Sequence, residues 1–70
     1  MAHIEASFFN TRFEDEAFSE QMITALTQAV ASVLGEDAGK DTTIILHGID
    51  PARWGFHGVP LSRRFTDPET

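Results

Sequence analysis

The hydrophobic residues of this 70-residue chain follow two different periods, which predict strands on either side of one long helix. From His3 to Phe9, polar and apolar residues alternate, as is typical of a strand with one buried face. Over residues 14–34, apolar residues recur every three or four positions, which indicates one apolar side on a helix of about six turns. The apolar positions of that helix are Phe18, Met22, Ala25, Leu26, Ala29, Val30, Val33 and Leu34.

Both ends of the predicted helix carry local signals. Glu14 and its two acidic neighbours suit the positive end of a helix dipole. Thr11 and Glu14 have the spacing of a capping box. Gly35 follows Leu34 as a left-handed residue that ends a helix.

The second half of the chain predicts a strand and a hairpin. Residues 36–41 are polar and contain Gly39, which predicts a loop, and residues 42–47 form a β-branched and apolar run of strand length. The order strand, helix, strand predicts a parallel pair, because the helix provides the crossover. Residues 49–52 predict a turn containing Pro51, and Gly55 and Gly58 favour a short hairpin within residues 53–62. The predicted class is therefore α/β (α+β): a small β-α-β unit with a C-terminal hairpin.

Composition narrows the possible functions. The chain has a formal net charge of −6, which argues against nucleic acid as a partner, since such binding needs a basic face. No apolar run reaches the length of a membrane span, and no signal-peptide pattern is present, so we expect a cytoplasmic protein that does not bind membranes. The chain lacks Cys, and the wide spacing of its three histidines matches no metal site, so neither a metal nor a cofactor is expected.

Size and hydrophobicity together predict assembly. Residues 1–62 form one predicted domain, and residues 63–70 form a polar tail. With 41% hydrophobic residues, the chain has more apolar groups than a monomer this short can bury. One helix covers only one face of a two-stranded sheet, and the free edges of that sheet invite another chain. We therefore expect an oligomer that forms through the sheet.

Several of these residues together resemble the 4-oxalocrotonate tautomerase family, over residues 1 to about 62. The most specific segment is Trp54-Gly55-Phe56-His57-Gly58, which is similar to the family's aromatic-Gly-x-Gly-Gly segment. The segment Ala2-His3-Ile4-Glu5, Arg12, the long helix and residues 42–47 also resemble the family in their order along the chain. The resemblance implies a hexamer built from dimers, in which two subunits join their sheets into a four-stranded layer. Some members are heterohexamers.

The resemblance also implies a site for a small carboxylate-bearing molecule. The family uses an N-terminal proline, exposed when the initiator Met is removed, to move a proton between the carbons of an unsaturated oxo acid. Ala2 stands in the position of that proline, and Thr43 stands where many members have a second arginine. By the same resemblance, Arg12 is the carboxylate-binding arginine and Trp54 is the aromatic wall of the pocket.

Each candidate residue also has an ordinary structural interpretation. Ala2 offers a primary amine with a reference pKa of about 8 if Met1 is removed, or it is simply a strand terminus. His3 is a second candidate base, or a histidine on the polar face of a strand. Arg53 could replace the missing second arginine, or be solvated, and Arg12 could neutralise the neighbouring acids.

Three functions follow from these alternatives. The first is a tautomerase-like isomerase of enol and keto forms of unsaturated oxo acids, with chemistry altered or weakened because Ala2 replaces the proline. The second is a non-catalytic subunit of a hetero-oligomer whose partner is a proline-bearing homologue. The third is a homo-oligomer with a structural or small-molecule-binding role.

Overall fold

The computed structural model describes residues 1–63, and its elements have the predicted β-α-β order followed by a hairpin. The two long strands are β1 (His3–Phe9) and β2 (Thr43–Ile49), and the helices are α1 (Phe18–Leu34) and α2 (Glu36–Lys40). The hairpin strands are β3 (Gly55–Phe56) and β4 (Val59–Pro60). Short 3-10 turns occupy Asn10–Glu14, Pro51–Arg53 and Leu61–Arg63. Apart from Arg63, the predicted tail of residues 63–70 lies outside the described residues.

Within residues 1–63, a helix covers one face of the sheet and no helix covers the other. β1 and β2 are parallel, in a register that runs from His3 opposite Thr43 to Phe9 opposite Ile49. In β1 the apolar residues of the alternation are half-buried and the polar ones exposed, as predicted. We call the side without the helix the uncovered face; its residues are His3, Glu5 and Ser7 of β1 and Thr43, Ile45 and His47 of β2.

The predicted bounds of the second strand, residues 42–47, were wrong by one residue at the start and by two at the end, since β2 spans Thr43–Ile49. Thr42 instead closes the turn after α2, because its hydroxyl donates to the Ala38 carbonyl at 2.8 Å and its N–H donates to the Gly39 carbonyl at 3.1 Å. At the other end, the strand continues through Ile49 because β1 still provides a partner for each residue.

The prediction that the long helix begins at residue 14 was also wrong. Residues Asn10–Glu14 form a 3-10 turn, and no side-chain cap is present at the start of either element. The turn brings Phe13 to Phe18, whose ring also contacts Phe8; both pairs are edge-to-face with centroids 5.2 Å apart. This aromatic packing outweighs the local capping signal, since edge-to-face pairs add to the gain from apolar burial.

The predicted loop at residues 36–41 is the short helix α2, packed against α1. Gly35 separates the two helices at φ 99° and ψ 163°, so its φ is positive as predicted, but its conformation is not left-handed helical. Gly39 is buried because its backbone lies directly on Ala31 of α1. Gly39, which predicts a loop in the sequence, therefore allows α2 to pack closely on α1.

The hairpin prediction is confirmed. Gly55 pairs with Pro60 and Phe56 pairs with Val59 in an antiparallel arrangement. The two residues between the strands, His57 and Gly58, have φ values of 52° and 77°. Positive φ at both central positions is the geometry of a type I′ turn, which matches the twist of a hairpin.

The fold is thin and leaves its apolar groups accessible. Among residues 1–63 no hydrophobic side chain is fully buried, and Val33 and Leu34 at the end of α1 are 81% and 65% exposed. The Cα radius of gyration is 15.2 Å, against about 11 Å for a compact chain of this length. No helix within residues 1–63 has the length and apolar character needed to cross a membrane.

Candidate functional site

Ala2 lies at the amino-terminal end of the sheet, beside an apolar groove. Its carbonyl accepts a hydrogen bond from the Thr43 N–H at 2.9 Å, which holds it in line with β1. Its side chain faces a groove of about 360 Å³ between β1 and the last turns of α1. The other lining residues are Ile4, Leu26, Ala29, Val30, Val33 and Leu34. The groove is almost entirely apolar, and we call it the apolar groove below.

The Met1 amino group lies next to the same end of the sheet. It is 3.5 Å from the Asp41 carboxylate, and both side chains are more than half exposed. The Thr43 hydroxyl lies 3.8 Å from the Met1 sulfur. A substituent at position 43 therefore lies close to the start of the chain.

His3 does not share the apolar groove with Ala2. Successive residues of a strand point to opposite faces, and His3 lies on the uncovered face with its Nε2 3.1 Å from Glu5 Oε2. Two candidate bases that adjoin in the sequence are thus separated by the sheet. Only Ala2 adjoins the apolar groove.

The carboxyl-terminal end of the sheet holds the other three candidate residues. Arg12 follows β1 in its 3-10 turn, and Arg53 and Trp54 follow β2. The Trp54 ring packs edge-to-face on Phe9, the last residue of β1, with centroids 5.1 Å apart. In a parallel pair, the carboxyl ends of both strands lie at the same end of the sheet, which we call the carboxyl edge. Ligands of α/β folds bind at this carboxyl edge.

Both arginines at this edge are available for a ligand. Arg12 and Arg53 are exposed. Within residues 1–63, neither has a carboxylate oxygen within 4.0 Å, so Arg12 does not pair with its acidic neighbours. A guanidinium without a carboxylate partner can bind a carboxylate through two parallel hydrogen bonds.

The two ends of the sheet do not meet within one chain. Phe9 comes seven positions after Ala2, which corresponds to about 23 Å along an extended strand. The structure therefore brings Arg12, Arg53 and Trp54 to one end and leaves Ala2 at the other. Residues from both ends can share a pocket only if two chains meet.

A third cluster was not predicted from the sequence. The Glu5 carboxylate accepts hydrogen bonds from two imidazoles, with His47 Nε2 at 2.7 Å from Oε1 and His3 Nε2 at 3.1 Å from Oε2. These bonds, first that from His47 and then that from His3, hold the pKa of Glu5 below its ordinary value of 4.5. The alternation in each strand predicts on which face of the sheet a residue lies. The register that brings His47 near Glu5 is set only when β1 and β2 pair.

The rest of the described chain offers neither a metal site nor a second pocket that includes a candidate residue. In the described part of the chain, no group of three or more His, Cys, Asp or Glu side chains is arranged to hold a metal ion. A depression of about 430 Å³ lies on the outer side of α1 around Glu20, Thr24 and Gln28. We assign it no role, because a single helix surface forms it and none of the candidate residues lines it.

Comparison of the chain with protein-family models, with curated proteins and with solved structures gives no match in any of the three.

Proposed function

We propose that this chain is a tautomerase-like subunit that interconverts the enol and keto forms of a small unsaturated oxo acid. The observation that carries the proposal is the placement of two available arginines and Trp54 at the carboxyl edge of a β-α-β sheet. Arg12 and Arg53 would bind the substrate carboxylate, and Trp54 would line the apolar part of the pocket. A few placed polar groups beside an aromatic wall are the usual form of a small-molecule site.

The base in this proposal is the amine of Ala2 after removal of Met1. In the enol-to-keto direction the amine first accepts the hydroxyl proton and becomes an ammonium, and it then delivers that proton to carbon, so one proton moves from oxygen to carbon and nothing is oxidised. An apolar surrounding disfavours the ammonium form, and the apolar groove provides such a surrounding beside Ala2. A primary amine replaces the family's secondary amine, and we therefore propose a weakened activity.

The proposed site is completed between chains. If the free edges of two β1 strands pair in antiparallel fashion, the amino end of one strand lies beside the carboxyl end of the other. Ala2 of one chain then approaches the arginine and tryptophan end of its neighbour. This arrangement removes the separation of about 23 Å that keeps the two halves apart in one chain.

The surface of the molecule supports assembly. Its accessible area is 5428 Å², about 1,000 Å² above the roughly 4,400 Å² of a compact monomer of this mass. A standard interface covers about 800 Å² on each partner. We propose a homo-oligomer, a hexamer in the form that the resemblance implies, with the free sheet edge and the apolar groove as contact surfaces.

The decisive experiment restores the missing chemistry. We expect Ala2→Pro to raise the rate of phenylenolpyruvate or 2-hydroxymuconate ketonisation, and Ala2→Pro with Thr43→Arg to raise it further. Removal of Met1 is verified by mass spectrometry. The control is Ala2→Ser with Thr43→Arg, which adds the arginine at position 43 but keeps a primary amine at position 2. If the proline-bearing double variant folds, assembles and loses Met1 but shows no rate above buffer, the isomerase proposal is wrong.

A second experiment tests the carboxylate-binding residues in the same double variant. Replacing Arg12 or Arg53 by Ala should lower kcat/KM by about tenfold or more, because a hydrogen bond to a charged group contributes roughly 1.5–3 kcal/mol. Lys40→Ala is the matched control, since it removes one cation from α2. An equal loss in the Lys40 variant would indicate a general effect of charge.

A hetero-oligomeric role is favoured by one feature of the sequence. Ala2 replaces the family's base, whereas the positions of Arg12 and Trp54 match those of its binding residues. In this alternative the chain lends Arg12 and Trp54 to a site whose proline comes from a homologous partner. An adjacent reading frame of similar length that begins Met-Pro, and co-purification of its product with this chain, would support it.

A further inference from the structure

The apolar groove beside Ala2 has the size and the lining of a pocket for an uncharged group. Its volume of about 360 Å³ lies within the usual range of small-molecule sites, which is about 300–1,000 Å³. None of its seven lining residues has a polar side chain. Such a lining binds alkyl or aryl groups through apolar burial and offers no partner to a charged group.

The lining residues of the groove divide into two sets by exposure. Four are half-buried, and we call them the floor: Ala2, Ile4, Leu26 and Val30. Three are exposed, and we call them the rim: Ala29, Val33 and Leu34. In the proposed assembly a copy covers the rim, which leaves the floor as the inner wall of a closed apolar space beside the proposed base.

Within residues 1–63, the charges near the groove disfavour a second carboxylate on the ligand. Neither β1 nor β2 contains a Lys or Arg. Lys40 lines a different depression, on another side of α1 beside Thr27 and Gln28. The amino group at the chain start is already compensated, since the Met1 nitrogen lies 3.5 Å from the Asp41 carboxylate. A ligand carboxylate at this end would meet apolar side chains or Asp41, and both contacts are unfavourable.

We propose that the substrate of this site carries one carboxylate and an uncharged alkyl or aryl tail, and that the floor of the apolar groove binds the tail. This inference rests on the proposed function and narrows its substrate class to monocarboxylic enol acids. The floor residues then determine the preference for an apolar tail, and Asp41 acts against dicarboxylic acids.

The two ends of such a substrate match the two halves of the proposed site. Arg12 and Arg53 of one chain bind the carboxylate, and the Ala2 amine of its neighbour adjoins the reacting carbons. Beyond the amine, the substrate continues along the chain that carries it. The cavity that Ala2 lines on that chain is the apolar groove.

Hexanoate and adipate test the inference, because they share one carbon chain and differ by a terminal carboxylate. Neither can tautomerise, so their binding does not depend on catalysis. Both are titrated into the whole wild-type chain after removal of Met1, and binding is followed by the fluorescence of Trp54, the single tryptophan. We expect the dissociation constant of hexanoate to be at least about tenfold lower than that of adipate, because the groove offers no partner to a carboxylate.

Val30→Thr tests the floor, because it replaces a methyl group by a hydroxyl group with little change of shape. It should raise the dissociation constant of hexanoate by about threefold or more and change that of adipate little. Ile23→Thr is the matched control, since Ile23 is 39% exposed on α1 and does not line the groove. It should leave the binding of both ligands unchanged.

Asp41→Asn tests the exclusion of dicarboxylic acids. At low ionic strength it should lower the dissociation constant of adipate by about two- to fivefold, because Asp41 is exposed and its repulsion is partly screened. The binding of hexanoate should change little. Glu20→Gln is the control, since it removes the same charge from the outer side of α1.

The results separate this inference from the proposed function. A preference for hexanoate that Val30→Thr reduces supports the inference, and a preference that this variant leaves unchanged overturns the role of the floor. Binding of adipate as tight as that of hexanoate, or binding of neither, overturns the inference. The proposed function is then judged by ketonisation in the variant with Ala2→Pro and Thr43→Arg, and the absence of that activity as well would overturn both.

Discussion

Glu5 links the two strands of the sheet through side chains. Its carboxylate accepts hydrogen bonds from His3 on its own strand and from His47 on β2. A carboxylate that accepts such bonds is stabilised in its ionised form, which is why the pKa of Glu5 is lowered. All three side chains are about half exposed, so the effect on stability is modest.

The lowered pKa of Glu5 predicts an acid-dependent loss of stability. A carboxyl group with a depressed pKa in the folded state stabilises the fold above its ordinary pKa of 4.5, and this contribution is lost as the pH falls through the lowered value. The difference in stability between wild type and Glu5→Gln should therefore be largest at neutral pH and shrink as the pH falls below 4.5. Urea unfolding at one protein concentration measures this, with Glu20→Gln as the control. A gap that stays constant down to pH 3 would contradict the assignment.

The residues of the site differ in how far the sequence could predict them. Arg12, Arg53 and Trp54 were predicted as site residues because of a resemblance, and the structure places them at one edge because both parallel strands end there. The cluster at Glu5 was missed because His47 lies 42 positions away in the chain, and only the register of the pair brings the two together. Alternation in β1 and β2 would have identified the face but not the contact.

At the scale of elements, periodicity predicted β1 correctly, whereas the ends of the helices depended on packing. The first strand has the bounds that its alternation predicts. The helix begins at Phe18 because Phe13 and Phe8 pack on that ring, a tertiary effect that the acidic run at residues 14–16 does not reveal. Likewise, α2 depends on the contact of Gly39 with Ala31, since a helix of five residues is unstable alone.

Gly39 therefore provides a test of the packing between the two helices. A Cβ atom at this position would lie 2.7 Å from the Ala31 Cβ and 3.3 Å from the Ala31 Cα, and neither atom belongs to a flexible side chain. Overpacking costs about 1–3 kcal/mol, and the higher helix propensity of alanine offsets up to about 1 kcal/mol of this. We expect Gly39→Ala to lower the free energy of unfolding by about 1–2 kcal/mol, measured by urea denaturation.

The control for this substitution is Gly55→Ala, because no atom lies within 4 Å of a Cβ at Gly55. Combining Gly39→Ala with Ala31→Gly should recover part of the loss, since it removes the atom that is too close. A Gly39→Ala variant as stable as the wild type would mean that α2 does not pack on α1 at this distance.

At the scale of the whole molecule, three surfaces have no covering element among residues 1–63: the free edge of β1, the uncovered face and the apolar groove. The edge and the groove adjoin each other, because the groove lies between β1 and the end of α1. A copy that pairs with the edge therefore also reaches the groove. In the proposed assembly, such a copy would cover Val33 and Leu34, which are 81% and 65% exposed in the single chain.

Val33 provides the test of this arrangement, because it lines the groove and is 81% exposed in the single chain. A lysine at this position is tolerated in an isolated helix, since its long side chain reaches water. In an assembly that covers the groove, the same lysine is placed against apolar atoms without a partner, which is costly. We expect Val33→Lys to keep the helical circular dichroism of the wild type and to raise the dissociation constant of the assembly by at least about tenfold, which corresponds to about 1.4 kcal/mol.

Gln28→Lys, on the outer side of α1, is the matched control and should assemble as the wild type does. Assembly of both variants is measured by light scattering after size-exclusion chromatography. If Val33→Lys assembles unchanged, the groove is not a contact surface, and if the wild type is a folded monomer at micromolar concentration, assembly through the sheet is itself wrong.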